Sequence, residues 1–255
     1  AEILFPAAVH TERHGQKHAR WPEAGYSWGI TAFIAQVSDG IKKNSFQKEP
    51  MNCFDATIVH FFNQGARKSW VFDQVVAFLS VNDLLKGGVM VSLLWWAWFR
   101  HDDRRSSDRQ QIVATLLGSL IALALARVMV LILPFRPRPL HEASLNLVFP
   151  YGVAEGALGK LSSFPSDHAV LFFSLAMGIF FVSRRVGLIA FLYAAVFIAL
   201  PRIYLGLHYP TDILVGAVIG MAIGWMANRY LPQTNSIQSF TNFSSTKPGF
   251  FYPWF

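Results

Sequence analysis

The chain has 255 residues, of which 53% are hydrophobic and 15% charged, and its formal net charge is +7. An ordinary soluble domain carries about 25% charged residues, so this composition excludes one, and the length bounds the answer to one or two domains. The single cysteine, Cys53, excludes an internal disulfide. Residues 1–50 are polar, rich in His and Lys, and hold no long apolar run and no cleavable signal pattern. Met51 is the first methionine, and the native start is expected there, with 1–50 an upstream or added extension; a genuine soluble arm is the alternative. Phe54–Phe62 and Trp70–Leu79 carry apolar residues at helical spacing but are too short to span, so residues 51–82 are expected to lie flat at a membrane interface.

Five longer apolar runs follow: Leu84–Phe99, Gln111–Leu133, Ser166–Val182, Val186–Leu207 and Ile213–Ala227. A membrane crossing needs about 20 apolar residues, with a range down to about 17. The expected fold class is all-α, a polytopic membrane helix bundle of about five to six transmembrane helices over residues 83–232, with a polar tail at 233–255. The alternative, a soluble bundle of very apolar helices, conflicts with the near absence of amphipathic periodicity in the runs. Gly216, Gly220 and Gly224 recur every four residues in the last run and predict a close helix contact.

Charge is distributed unevenly about these runs. The loop Arg100–Arg109, RHDDRRSSDR, holds four arginines; Arg184, Arg185 and Arg229 fall on the same side of a five-span bundle. The opposite side, Pro134–Pro165, carries only Arg136, Arg138 and Lys160. Positive loops are retained in the cytoplasm, so the stretch FPSDH is expected to open outward, toward periplasm or lumen.

Ionisable groups at membrane depth cost about 2.5–3.5 kcal/mol each on insertion scales, so those present are informative. They form three clusters: Arg127 with LPFRPRPL (Leu133–Leu140), SFPSDH (Ser163–His168) and PRIYLGLHYPTD (Pro201–Asp212). Span alternation brings all three to one end of the bundle. Arginines in number imply an anion, most simply a phosphate held by forked N–H donors. Ser166 and the first N–H groups of the following helix add donors; an ordinary helix cap by Ser166 or Asp167 is the alternative. His208 lies four residues before Asp212, whose carboxylate is expected to take the Nδ1 proton and leave Nε2 free to attack. His168 is the expected proton donor to a leaving group. Either histidine alone is as readily an interfacial histidine bonded to backbone; the two with the arginines favour chemistry. The charge that a metal supplies in many phosphoryl transfers is expected from arginine, with no cofactor.

These residues resemble the type 2 phosphatidic acid phosphatase (PAP2) family of integral membrane lipid phosphatases, whose signatures are K-x6-R-P, P-S-G-H and S-R-x5-H-x3-D. Here the second is PSDH, Pro165–His168, and the third keeps the spacing of Arg202, His208 and Asp212. The likeness covers roughly Asp83 to Leu231 and implies a PAP2/haloperoxidase-like helical core. It implies that His208 is a nucleophile forming a phosphohistidine, Asp212 its orienter and His168 the general acid. Arg138, Arg202 and Ser166 are the implied phosphate ligands. Asp167 replaces the motif glycine and is a candidate substrate-binding residue through its backbone N–H, with its side chain expected to turn away from the phosphate, and Pro201 replaces the serine before Arg202. Leu131 stands at the motif lysine, with Arg127, eleven residues before Arg138, as substitute on nearly the same helix face. Arg136 is a second candidate ligand.

The expected activity is metal-independent hydrolysis of a lipid phosphate or diphosphate at the outer face of a bacterial inner membrane. Undecaprenyl diphosphate is the first substrate expected, then phosphatidic acid or phosphatidylglycerophosphate. The expected partners are the bilayer and a phosphorylated lipid, not nucleic acid. The alternatives are a lipid phosphotransferase of the same family, a non-enzymatic lipid-binding or transport protein, and a soluble relative such as an acid phosphatase or vanadate-dependent haloperoxidase.

Overall fold

A computed structural model describes residues 52–100, 105–153, 162–235, 237–239 and 241. The expectations for residues 1–50, for Arg104 and Lys160, and for most of the tail lie outside these residues. The described residues that form regular structure are helical, and side-chain caps open the first three helices. Asn52 accepts from the Phe54 N–H at 3.1 Å and opens α1 (Cys53–Asn63). Ser69 does the same for α2 (Trp70–Val81), accepting from Phe72 N–H at 3.3 Å. Asn82 closes α2 through its N–H to the Phe78 carbonyl and opens α3 (Asp83–Phe99) through its side chain, which accepts from Leu85 N–H at 2.9 Å. One residue thus ends one helix and starts the next, and the axes bend by 56° at it.

α4 (Arg105–Ile132) is followed by a long loop, then by α5 (Asp167–Val182) and α6 (Arg184–Tyr193). α6 runs through a π turn at Ala194–Ala199 into the short α7 (Leu200–Tyr204), and α8 (Pro210–Tyr230) closes the bundle. The π turn lies just before Pro201, which has no N–H to continue the ladder. Among the described residues, Ser106–Ile132, Arg184–Tyr204 and Pro210–Gln233 are long and apolar enough to cross a membrane, and the bent pair α2–α3 meets the same measure when its two helices are taken as one span. α5, with 16 residues, is about 24 Å long and apolar after His168. All five apolar runs of the sequence are helical, and three of them, or four with the bent pair counted as one, have the length and composition of a span, against the five to six expected.

The expected close contact of the last span is present, and its partner is α5. A Cβ on Gly220 would lie 2.2 Å from the Val170 carbonyl oxygen, and one on Gly216 would lie 2.9 Å from that of Ser166. Only a residue without a side chain lets the backbones approach this closely. Across the middle of the bundle, Thr115 Oγ1 on α4 donates to Asn228 Oδ1 on α8 at 3.0 Å, and Ser119 on α4 meets Ser174 on α5 at 3.2 Å. In contrast, Leu116, Leu120, Ile121, Leu188, Leu192, Leu214 and Val218 face outward. This is the inverse of a soluble surface and suits a hydrocarbon solvent.

The loop between α4 and α5 is fastened at several points. Leu140 N–H donates to Gly206 O at 3.0 Å, Ser163 N–H to Arg136 O at 2.9 Å and Ser166 N–H to Asp212 O at 3.3 Å. Asn63 pairs with both backbone groups of Val148, at 2.8 and 2.9 Å, and Arg67 Nε donates to Phe149 O at 2.8 Å. Gly206 reverses the chain after α7 with φ +65°, a conformation that glycine adopts without strain.

Candidate active site

Three chain segments meet at one end of the bundle, where α5 and α8 begin and α7 ends. The loop before α5 carries Arg136 and Arg138, the start of α5 carries Ser166, Asp167 and His168, and the α7–α8 corner carries Arg202, His208 and Asp212. Arg138 (7% exposed), Arg202 (6%), His208 (4%) and Ser166 (0%) are all buried. Arg138 Nη1 donates to Leu207 O at 2.7 Å and stands 3.4 Å from His208 Nε2. His168, Arg138 and Arg202 all act electrostatically on His208. The clusters that span alternation predicted to share one end do share it.

Ser166 occupies the N-cap position of α5 but its hydroxyl caps nothing. Ser166 Oγ, Arg138 Nε and Arg202 Nε are buried without a hydrogen-bond partner. Buried polar groups in native proteins are almost always satisfied, so three unpartnered donors in one cluster mark a place for an acceptor. The donor set is cationic, and a tetrahedral oxyanion fits it. Among the described residues no group of three His, Cys, Asp or Glu side chains is placed to hold a metal ion.

The orientation of His208 differs from the expectation. Nδ1 lies 2.8 Å from the Ser163 carbonyl, whereas Asp212 Oδ2 is 3.9 Å away. A carbonyl only accepts, so Nδ1 carries the proton and Nε2 presents a lone pair toward Arg138. Asp212 is engaged elsewhere: Oδ2 takes the Tyr209 N–H at 2.8 Å, and Oδ1 takes a short bond from Arg136 Nη1. The reason is positional. Asp212 is the third residue of α8, where a carboxylate turns back to the N-cap N–H instead of reaching outward to the ring. Burial, then the Arg138 and Arg202 cations, hold the His208 imidazole well below its ordinary proton affinity, against a smaller opposing effect of the Ser163 carbonyl. Burial also pulls Arg138 down, and Asp212 and Asp167 pull it back.

Two arginines expected to hold the anion are held by carboxylates instead. Arg136 forks between Asp212 Oδ1 and Asp55 Oδ2, the latter at 2.7 Å, with its guanidinium 4.1 Å from the Tyr209 ring centroid. Arg127, 61% exposed, pairs with Asp167 Oδ2 at 2.8 Å. The second carboxylate oxygen, Asp167 Oδ1, is buried and unpartnered. Asp167 thus directs one oxygen toward Arg127 on α4.

Sequence reasoning missed Asp55, Asp73 and Lys86. Asp55 and Asp73 are completely buried: Asp55 serves Arg136 and Thr211, and Asp73 takes the N–H groups of Arg67 and Tyr151, at 3.0 and 2.9 Å, and the Tyr204 hydroxyl. Lys86, also buried, donates to Ser80 O at 2.6 Å and pairs with Asp83 at 2.9 Å, within electrostatic reach of His168. The available signal was an ionisable residue inside a short apolar run, CFDATIVHFF, WVFDQVVAFL and LLKGGVM.

The family model for the PAP2 superfamily matches residues 112–236. Lipid A 1-diphosphate synthase of Escherichia coli is 30% identical over 202 residues, 76% of this chain and 82% of that protein. Undecaprenyl-diphosphatase BcrC of Bacillus subtilis is 23% identical over 162 residues, 63% of this chain and 75% of that one. The bacitracin transport permease protein BcrC of Bacillus licheniformis is 42% identical over 60 residues, 24% of this chain, and that match spans 29% of the relative. The apolar helices, the buried cationic cluster and these matches together place the chain as an integral membrane protein of the PAP2 superfamily.

Proposed function

We propose that this membrane phosphatase hydrolyses a lipid phosphate or diphosphate through a phosphohistidine on His208, with undecaprenyl diphosphate as first substrate. The observation that carries the reading is the group of buried, unpartnered donors, Ser166 Oγ, Arg138 Nε and Arg202 Nε, with His208 Nε2 3.4 Å from Arg138 Nη1. In this reading those donors and the first N–H groups of α5 hold the phosphate oxygens. His208 Nε2 attacks phosphorus as the bond to the leaving oxygen breaks, and His168 gives that oxygen its proton. Water then attacks the phosphohistidine, gives a proton back to His168 and releases inorganic phosphate. With a diphosphate the leaving group is the lipid monophosphate. Asp212 and the Ser163 carbonyl face the cationic ring of the intermediate, and the arginines supply the positive charge.

The site belongs to the outer face of the bacterial inner membrane: Arg184, Arg185 and Arg229 lie at the opposite ends of their helices from His208. The test is phosphate release from a panel of lipid phosphates in detergent with EDTA present, wild type beside His208→Ala. Release by the wild type alone supports the reading, whereas EDTA-sensitive release or an active His208→Ala variant contradicts it. A second reading, transfer of the phosphoryl group to a lipid acceptor, is favoured by the 30% identity to a lipid A 1-diphosphate synthase. Product formation that requires an added lipid acceptor selects it over hydrolysis.

A further inference from the structure

Asp55 is a fully buried carboxylate on α1, more than fifty residues before the stretch that matches the family. Its partners all lie at the site. Oδ2 receives Arg136 Nη2 at 2.7 Å and Thr211 Oγ1 at 2.5 Å, and Oδ1 receives the Thr211 N–H at 3.0 Å. The other end of the Arg136 fork, Nη1, reaches Thr211 Oγ1 at 3.0 Å and Asp212 Oδ1. Arg136 also acts through its backbone: its carbonyl accepts the Ser163 N–H at 2.9 Å, and the Ser163 carbonyl accepts the His208 Nδ1 proton at 2.8 Å. Asp55 touches the side chain of this arginine, and that side chain reaches the imidazole's neighbourhood through Asp212.

We infer that Asp55 is a positioning residue for His208, acting through Arg136 and Asp212. This rests on the reading of His208 as nucleophile. The physical need follows from the charges. An arginine paired with Asp212 alone is free to swing with it, and it cancels the carboxylate that faces the ring. Shared between two buried carboxylates and stacked on Tyr209, Arg136 is fixed on both sides, and the Asp55–Arg136–Asp212 set keeps one net negative charge. That charge faces the imidazole as it becomes cationic on phosphorylation. Thr211, at the second position of α8, is held by its N–H and its hydroxyl to the same carboxylate, so Asp55 also fixes the helix start that carries Asp212. α1 thereby becomes part of the working site.

The test is steady-state kinetics of the full chain in detergent with the best substrate of the lipid phosphate panel. Asp55→Asn is expected to lower kcat by about 10–100-fold and leave KM within about threefold, the pattern of a lost outer partner to a reacting group. In an Asp212→Asn background the same change is expected to cost less than about threefold, because the two act in series. An unchanged kcat, a rise in KM alone, or full additivity with Asp212→Asn overturns the inference. Should Asp55→Asn lose its cooperative unfolding transition, Thr211→Val removes one of the three bonds with a smaller change, and an unaltered kcat there overturns it as well. His208→Ala keeps the two claims separate: activity in that variant sinks the nucleophile reading, while an inert Asp55→Asn beside a dead His208→Ala sinks only this one.

Discussion

The His208 ring is held at Nδ1 by the Ser163 carbonyl, 2.8 Å away, and not by the carboxylate four residues later in sequence, which stands at 3.9 Å. Where a carboxylate alone fixes the tautomer of a catalytic histidine, its amide replacement costs about 10⁴-fold, because the amide donates to the ring and selects the wrong form. Here a backbone carbonyl that mutation does not change fixes the form. Asp212→Asn is therefore expected to lose about 10²-fold in kcat, well short of His208→Ala, for which a loss on the order of 10⁴-fold or more is expected. Equal losses in the two variants would show that Asp212 bonds to the ring during turnover.

The pH dependence follows from the direction of the His208 shift. A histidine whose proton affinity is lowered stays neutral, and so nucleophilic, below its ordinary value of 6.5. Its contribution to the acid limb of kcat/KM is then expected below pH 6.5. Arg138 is the largest cause after burial, so Arg138→Gln is expected to move that limb to higher pH while weakening phosphate binding. A limb that stays in place, measured over the same buffers with both enzymes, would assign it to another group.

Asp167 brings a negative charge to the edge of the proposed anion seat, with Arg127 pairing with one of its oxygens. Removing that charge is expected to tighten anion binding. A unit charge in a partly buried site exerts more than 1 kcal/mol, and 1.4 kcal/mol is tenfold in affinity, so Asp167→Asn is expected to lower the inhibition constant of vanadate by about tenfold. Weaker inhibition would mean that Asp167 supports the seat, through its helix start or its unpartnered oxygen.

Gly220 is the tightest point between α5 and α8, with the Val170 carbonyl oxygen 2.2 Å from where a Cβ would stand. Backbone cannot retreat as a flexible side chain can. Gly220→Ala is expected to cost about 1–3 kcal/mol, the range for overpacking, seen as a lower unfolding temperature in detergent. An unchanged transition would place the two helices further apart than described.

Much of the site was legible because membrane burial makes every polar residue conspicuous. Ser166, His168, Arg202 and His208 stood out against apolar runs, and alternation of the spans was enough to bring them to one end. The partners of the arginines were not legible. Arg136 and Arg138 are two residues apart in one proline-rich loop and read alike, yet one reaches Leu207 and His208 while the other is enclosed by Asp55 and Asp212. Only the path of the loop, fixed by bonds such as Leu140 to Gly206, separates them. The same holds for Asp55: a carboxylate in an eleven-residue helix carries no motif, and its partners lie 81 and 156 positions away.

The glycine seam between α5 and α8 has a further consequence for how such a chain diversifies. His168 on one side, and Asp212 with the corner that bears His208 on the other, ride on two rods pressed backbone to backbone, so they form a single rigid unit. Adaptation to a new headgroup or acyl chain is then confined to what surrounds that unit, namely the α2–α3 elbow with Lys86 and the strapped loop ahead of α5. Chains that differ in lipid preference should diverge there while the seam stays silent.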